Sequence, residues 1–227
     1  MAEKKEKEVK TASSKLNTVL EKNRKIVISC FVAVIAAVAA FIIVEIAASK
    51  AKDRNLAAIE ALTYELVNDS SSLEEAELTA RRDSTLEKVE KYTKKGGVAG
   101  VRANMLAAEL AYQKKDYEAA LAYWDAAAAK GKKSYTAPLA NYNKAVCYEQ
   151  LGKLDEAADA YKAAVDVEDF VLRTHAMFSY GRILETKGQY AEAVKVYQEL
   201  NDKNPSDTWA NLAKTRIIDL KVEGKAE

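Results

Sequence analysis

A chain of 227 residues with 35 Lys and Arg against 34 Asp and Glu has a net charge of +1, which gives no case for a nucleic-acid partner. Only 2 Pro and 8 Gly punctuate it, and Ala, Glu, Lys and Leu are abundant, so the composition points to an all-α protein. Two cysteines, Cys30 and Cys147, cannot build a disulfide framework and leave the redox compartment open.

Residues 1–25 are polar and charge-mixed with no apolar period, and read as a basic, mostly disordered tail. The stretch KIVISCFVAVIAAVAAFIIVEIAASK follows at 25–50. Its 19 residues from Ile26 to Val44 carry no charge. At ~1.5 Å per residue they reach about 28 Å, close to the ~30 Å of a bilayer's hydrocarbon. A secretory apolar region is usually only about 7–15 residues, so length predicts a transmembrane helix over 26–48. Ala47-Ala48-Ser49 resembles a small-residue cleavage site and keeps a cleaved signal as the alternative. A lipoprotein reading at Cys30 fails, because a lipobox closes an apolar region and Cys30 opens one. Residues 1–25 hold eight Lys and Arg, whereas Lys50, Lys52 and Arg54 stand close on the far side. That bias favours a cytoplasmic N-terminus.

Residues 50–67 continue helically out of the apolar stretch, and 73–95 form a second helix stopped by Gly96-Gly97. The pair, 49–97, reads as a degenerate first hairpin joined rigidly to the membrane helix. A protease-sensitive site at 46–56 would contradict that rigidity.

Three segments then repeat. Each has a small residue (Ala108, Ala145, Gly181) and an alanine twelve positions later (Ala120, Ala157, Ala193). Four further on stands an aromatic (Trp124, Tyr161, Tyr197), and three beyond that an apolar residue (Ala127, Ala164, Leu200). Small residues let two helices approach closely, and the aromatic fills the gap to the next pair. Turns at KKDY, GKLD and GQYA separate the helices, with Gly152 and Gly188 suited to a left-handed helix end. No unit buries its face alone, so the units must stack. Beyond them, SDTWANLAKTRIIDLKVEG offers Ser206 or Asp207 as an N-cap and an amphipathic capping helix over 208–227.

This pattern resembles the tetratricopeptide repeat (TPR) family over residues 101–207, in units of about 101–137, 138–173 and 174–207. The family's closing proline is present as Pro205, whereas Lys132 and Asp169 stand in its place in the first two units. The family's early Trp is replaced by Asn104, Asn141 and Met177. Units are 37 and 36 residues apart rather than the family's 34, the extra length falling in loops where insertion is cheap.

The resemblance implies an all-α, TPR-type solenoid whose first helices line a binding groove. Its groove positions fall on Arg102, Met105, Glu109 and Tyr112 in the first unit, and on Leu139, Tyr142, Asn143, Val146 and Glu149 in the second. The third unit supplies His175, Phe178, Arg182 and Glu185, and the capping helix Trp209 and Arg216. Aromatic and apolar side chains mixed with Arg suit a protein or peptide partner, although some of them would simply pack against the next helix. The family's clamp for a C-terminal carboxylate would fall on Met105, Glu109, Asn143, His175 and Ser179, of which only Asn143 fits. Such a ligand is not expected.

No catalytic, cofactor or metal constellation is found. His175 is the only histidine, and Cys147 and His175 lie in neighbouring units. KGKKS at 130–134 lacks the upstream glycine of a phosphate loop, and GGVAG at 96–100 is a helix stop. Tail, single anchor and C-terminal repeats together resemble the ancillary SecYEG translocon subunit (YfgM-like) family. That likeness implies a scaffold in the bacterial inner membrane, repeats in the periplasm, joining the Sec translocon to periplasmic chaperones or envelope assembly. The alternative is a membrane-anchored receptor whose repeats face the cytosol and bind targeting peptides or chaperones.

Overall fold

The structure, a computed structural model, describes residues 20–132 and 134–226. Most of the tail assigned to 1–25, and Lys133 of the KGKKS loop, lie outside the described residues. The chain divides into two compact units, Met1–Asp53 and Arg54–Glu227.

Helix α1 spans Arg24–Val67. In the first unit every residue from Arg24 to Ala47 is exposed, including Phe31 and Ile43. This helix is long and apolar enough to cross a membrane.

The second unit opens with the last turns of α1, which bury Ile59 and Leu62 against Val89, Ala103 and Leu106. Helix α2 (Glu75–Thr93) starts later than the pattern predicts. Asp69 takes a left-handed φ of 53°, and a 3-10 turn at Ser70–Ser72 intervenes before the helix begins. Arg81 of α2 closes this corner by donating to the carbonyls of Glu65 and Asn68 at 3.0 and 2.5 Å.

Helical hairpins follow: α3 (Gly97–Gln113) with α4 (Tyr117–Lys130), α5 (Thr136–Gln150) with α6 (Leu154–Val165), and α7 (Arg173–Thr186) with α8 (Tyr190–Lys203). Helix α9 (Thr208–Val222) covers the last of them through Ala210, Ala213 and Leu220. The small residues close each hairpin as the spacing requires: Ala108, Ala120, Ala145, Ala157 and Ala193 are all fully buried. Trp124, Tyr161 and Tyr197 fill the gaps between hairpins, each at most 2% exposed.

The three hairpin turns share one geometry. An amide reaches back five residues in each: Asp116 to Ala111 at 3.0 Å, Lys153 to Tyr148 at 2.9 Å and Gln189 to Leu184 at 2.9 Å. The preceding residue is left-handed in every case. Gly152 and Gly188 adopt this freely at φ 71° and 74°, whereas Lys115 does so at φ 62° against a cost of about 1–2 kcal/mol. At the end of the stack Asp207 accepts the Trp209 amide at 2.7 Å and caps α9.

Candidate partner-binding groove

Helices α3, α5, α7 and α9 carry the positions assigned to the groove, and the structure sorts them into three settings. The first is an aromatic run across α5, α7 and α9. His175 stacks on Trp209, with ring centroids 3.7 Å apart and planes within 6°. Tyr142 lies 5.2 Å from His175 on one side, and Phe178 lies 5.4 Å from Trp209 on the other. The Tyr142 hydroxyl is 3.0 Å from Nδ1 and 3.2 Å from Nε2 of His175, so the tautomer decides which nitrogen it serves. These side chains are half-buried against one another.

Burial, followed by the nearby Arg182 charge, lowers the His175 pKa, since both disfavour imidazolium. A folded pKa below the unfolded value means stability is present above about pH 6.5 and is lost as pH falls below it. With a single histidine in the chain, an NMR titration reads this directly, and a midpoint below 6.5 is expected. A midpoint at or above 6.5 would contradict the packing described.

The second setting is a repeated three-residue tie. Glu149, at the end of α5, accepts from the Tyr161 hydroxyl of α6 at 2.5 Å and from Arg182 of α7 at 2.6 Å. One unit on, Glu185 accepts from the Tyr197 hydroxyl of α8 at 2.6 Å and pairs with Arg216 of α9. Each carboxylate therefore joins both helices of its own hairpin to the next. Burial, reinforced by the accepting carboxylate, raises both tyrosine pKa values far above the ordinary range, so the hydroxyls remain donors at neutral pH. Sequence reasoning treated Tyr161 and Tyr197 as gap-fillers and missed their polar ends. The signal was present: a Glu stands twelve residues before each tyrosine, and an Arg 33 or 31 residues after the Glu.

The third setting is the junction between the first two hairpins, where the tie is absent. Tyr112, Trp124 and Val146 occupy the places of Glu, Tyr and Arg. Here a cavity of about 380 Å³ opens, lined by Glu109, Tyr112, Gln113, Trp124, Tyr142, Asn143 and Val146. Asn143 donates to its own helix at the Leu139 carbonyl, 2.9 Å away. Glu109 is exposed, yet the atoms around its carboxyl raise its pKa by desolvation.

Other assigned positions stand apart from these settings. Arg102 turns to Glu60 of α1 at 3.3 Å, and Met105 packs with the core around Trp124. Leu139 packs with Phe170 and Ala176. Cys147 is fully buried, and burial pushes its thiol up to about 11, so it stays protonated at neutral pH.

Three hairpins with one turn geometry and one small–aromatic spacing define a helical repeat solenoid of the tetratricopeptide class. The tetratricopeptide repeat family model matches residues 105–169 and 167–208. A TPR repeat-containing protein of Treponema pallidum (strain Nichols) is 31% identical over 150 residues. That alignment covers 65% of this chain and 63% of the relative's length. Crystal structures of nearly identical TPR-like repeats from Podosopora anserina, one of them a point variant, superpose with TM-scores of 0.56 and 0.57. Each covers 76% of this chain, and 88% or 87% of its own, at 13% identity, which establishes the shared fold. Stacked repeats of this kind present an extended concave surface, the form that protein-interaction scaffolds use.

Proposed function

We propose that this protein is a single-pass membrane scaffold of the bacterial envelope. Residues 26–48 sit in the lipid bilayer, the N-terminus is cytoplasmic, and the repeats bind protein partners in the periplasm. A role joining the Sec translocon to periplasmic chaperones or envelope assembly fits this arrangement. The observation that carries the reading is the wholly exposed, uncharged helix from Ile26 to Val44 preceding a domain of interaction repeats. Left in water, side chains such as Phe31, Phe41 and Ile43 would forgo about 25 cal/mol for each Å² of apolar surface that lipid would cover. The excess of Lys and Arg before the helix supports the orientation, and the relative in Treponema pallidum supports a bacterial setting.

Alkaline carbonate should leave the wild-type chain in the membrane pellet. Replacing Ile35 and Val38 together by Arg adds roughly 5–7 kcal/mol to insertion near the helix centre and should move the chain to the soluble fraction. A phosphatase joined after residue 227 should be active and a cytosolic fluorescent reporter dark; the reverse pattern would sink the orientation. For the groove, a photo-crosslinker at exposed Gln113 should capture a defined protein in native membranes, and one at exposed Glu192 on α8 should not. Equal capture at both sites would sink the groove reading.

A further inference from the structure

Along the groove, positions equivalent by the repeat spacing are Glu109, Val146, Arg182 and Arg216. The two arginines are already neutralised, Arg182 by Glu149 and Arg216 by Glu185. Arg102 is matched by Glu60, and Lys144 by Asp125 at 2.6 Å. Glu109 has inverted the charge at this position and, among the described residues, no cation faces it in an ion pair.

The cavity beside Glu109 is walled by three aromatic residues, Tyr112, Trp124 and Tyr142. Trp124 is 2% exposed and fixed in the core around Ala108 and Ala120, so its indole is a rigid wall rather than a mobile flap. Glu109 is the charged residue of this lining, and Glu149 and Arg182, which act on its Tyr112 and Tyr142 walls, are paired with each other. Gln113 and the carbonyl oxygen of the Asn143 side chain bring further acceptors to the rim. Aromatic faces attract a cation within about 6 Å of the ring centre, and an unpaired carboxylate at the mouth supplies a charge-assisted hydrogen bond. A carboxylate ligand would meet repulsion at this place, and a purely apolar one would leave Glu109 partly desolvated and unpaired.

We propose that this pocket takes the cationic side chain of a polypeptide partner, a lysine or an arginine, with Glu109 as its counter-ion and Tyr112, Trp124 and Tyr142 as its walls. The proposal rests on the reading that the groove receives a polypeptide, and it names what the first junction of that groove selects. The ligand class follows from Glu109 at the break in the repeated tie. In the next two junctions a Glu and an Arg pair with each other. Here Tyr112 and Val146 replace both partners of that pair, and the carboxylate that remains, Glu109, stands beside the aromatic walls without a cation of its own.

The chain has two tryptophans, Trp124 in this pocket and Trp209 in the aromatic run, so their indole N–H resonances give a signal and an internal control. The full chain, labelled at tryptophan nitrogen and held in lipid nanodiscs, is titrated with N-acetyl-arginine amide and N-acetyl-lysine amide. N-acetyl-norleucine amide and N-acetyl-glutamate amide serve as uncharged and acidic controls. Ligands of this size should bind at roughly millimolar Kd. At least one cationic probe should shift Trp124 saturably and leave Trp209 in place. Glu109→Gln should weaken that probe about tenfold while leaving the helical signal unchanged. Norleucine amide binding as tightly as the cationic probes would overturn the proposal, as would no Trp124 shift from either probe at tens of millimolar. Unaltered affinity in Glu109→Gln would do the same. If the Gln113 crosslinker still captures its partner after such a result, the cation pocket falls and the groove reading stands. If the cationic probes bind but Gln113 captures nothing, the groove reading falls by itself.

Discussion

Gly181→Ala should destabilise the protein by about 1–2 kcal/mol, although alanine is the better helix former. Mid-helix, the exchange alone would gain about 0.5–1 kcal/mol. Against that, a Cβ at Gly181 would lie 2.3 Å from Cε1, 2.7 Å from Cζ and 2.8 Å from Cδ1 of Tyr197. The ring has nowhere to retreat, because Tyr197 is fully buried and its hydroxyl is held by Glu185 at 2.6 Å. Overpacking a core in this way costs about 1–3 kcal/mol, and it outweighs the propensity gain. For a protein of this size the melting temperature should fall by roughly 3–6 °C. Ala145→Gly is the natural control. It removes a methyl at the corresponding place beside Tyr161, where the methyl fits, and should also destabilise, by about 1 kcal/mol or more. A Gly181→Ala protein melting at or above the wild-type temperature would show that Tyr197 yields and that the close approach is not fixed.

Glu185→Ala should cost about 2–3 kcal/mol. Most of this comes from the Tyr197 hydroxyl, which loses its acceptor inside the core, a loss worth about 1–3 kcal/mol. The ion pair with Arg216 adds less, because the Arg216 side chain is 38% exposed and water replaces its partner. The total therefore stays below the 3–5 kcal/mol typical of breaking a fully buried pair. A double-mutant cycle separates the two contributions. Coupling of Glu185→Ala with Tyr197→Phe should reach about 1–2 kcal/mol, whereas coupling with Arg216→Ala should stay below about 1 kcal/mol. The opposite order would mean that the salt bridge, not the buried hydroxyl, holds the last hairpin to the capping helix. Chemical denaturation with a spectroscopic readout at matched slope measures the three single and two double variants.

These two sites mark how far the sequence was legible. The repeat was visible because a solenoid reuses one packing problem, so Ala108, Ala145 and Gly181 return with Trp124, Tyr161 and Tyr197 at constant spacing. The turns were visible because Gly152 and Gly188 occupy left-handed positions. Lys115 does the same work without announcing it, since a lysine gives no sign of a positive φ. The positions that the resemblance assigns to a groove lie on α3, α5, α7 and α9, but their environments were not legible in the sequence. His175 of α7 turned out to stack on Trp209 of α9, with Phe178 packed at a tilt against the same indole, contacts that join residues 34 and 31 positions apart in the chain.

By itself the sequence determined the all-α class, the uncharged stretch near the N-terminus and the recurrence of one small–aromatic spacing. Composition, an apolar run and a repeated spacing are read along the chain without knowing which helices meet. Only the tertiary structure decided why the third unit needs glycine where the others accept alanine, because that depends on how closely one tyrosine ring approaches. It also decided which charges are spent. Arg182 and Arg216 are consumed by Glu149 and Glu185, and Glu109 is left beside an open aromatic cavity. Pairing across stacked hairpins depends on distances between helices that no local pattern encodes. The unpaired carboxylate of Glu109 became visible only once its neighbours had been placed.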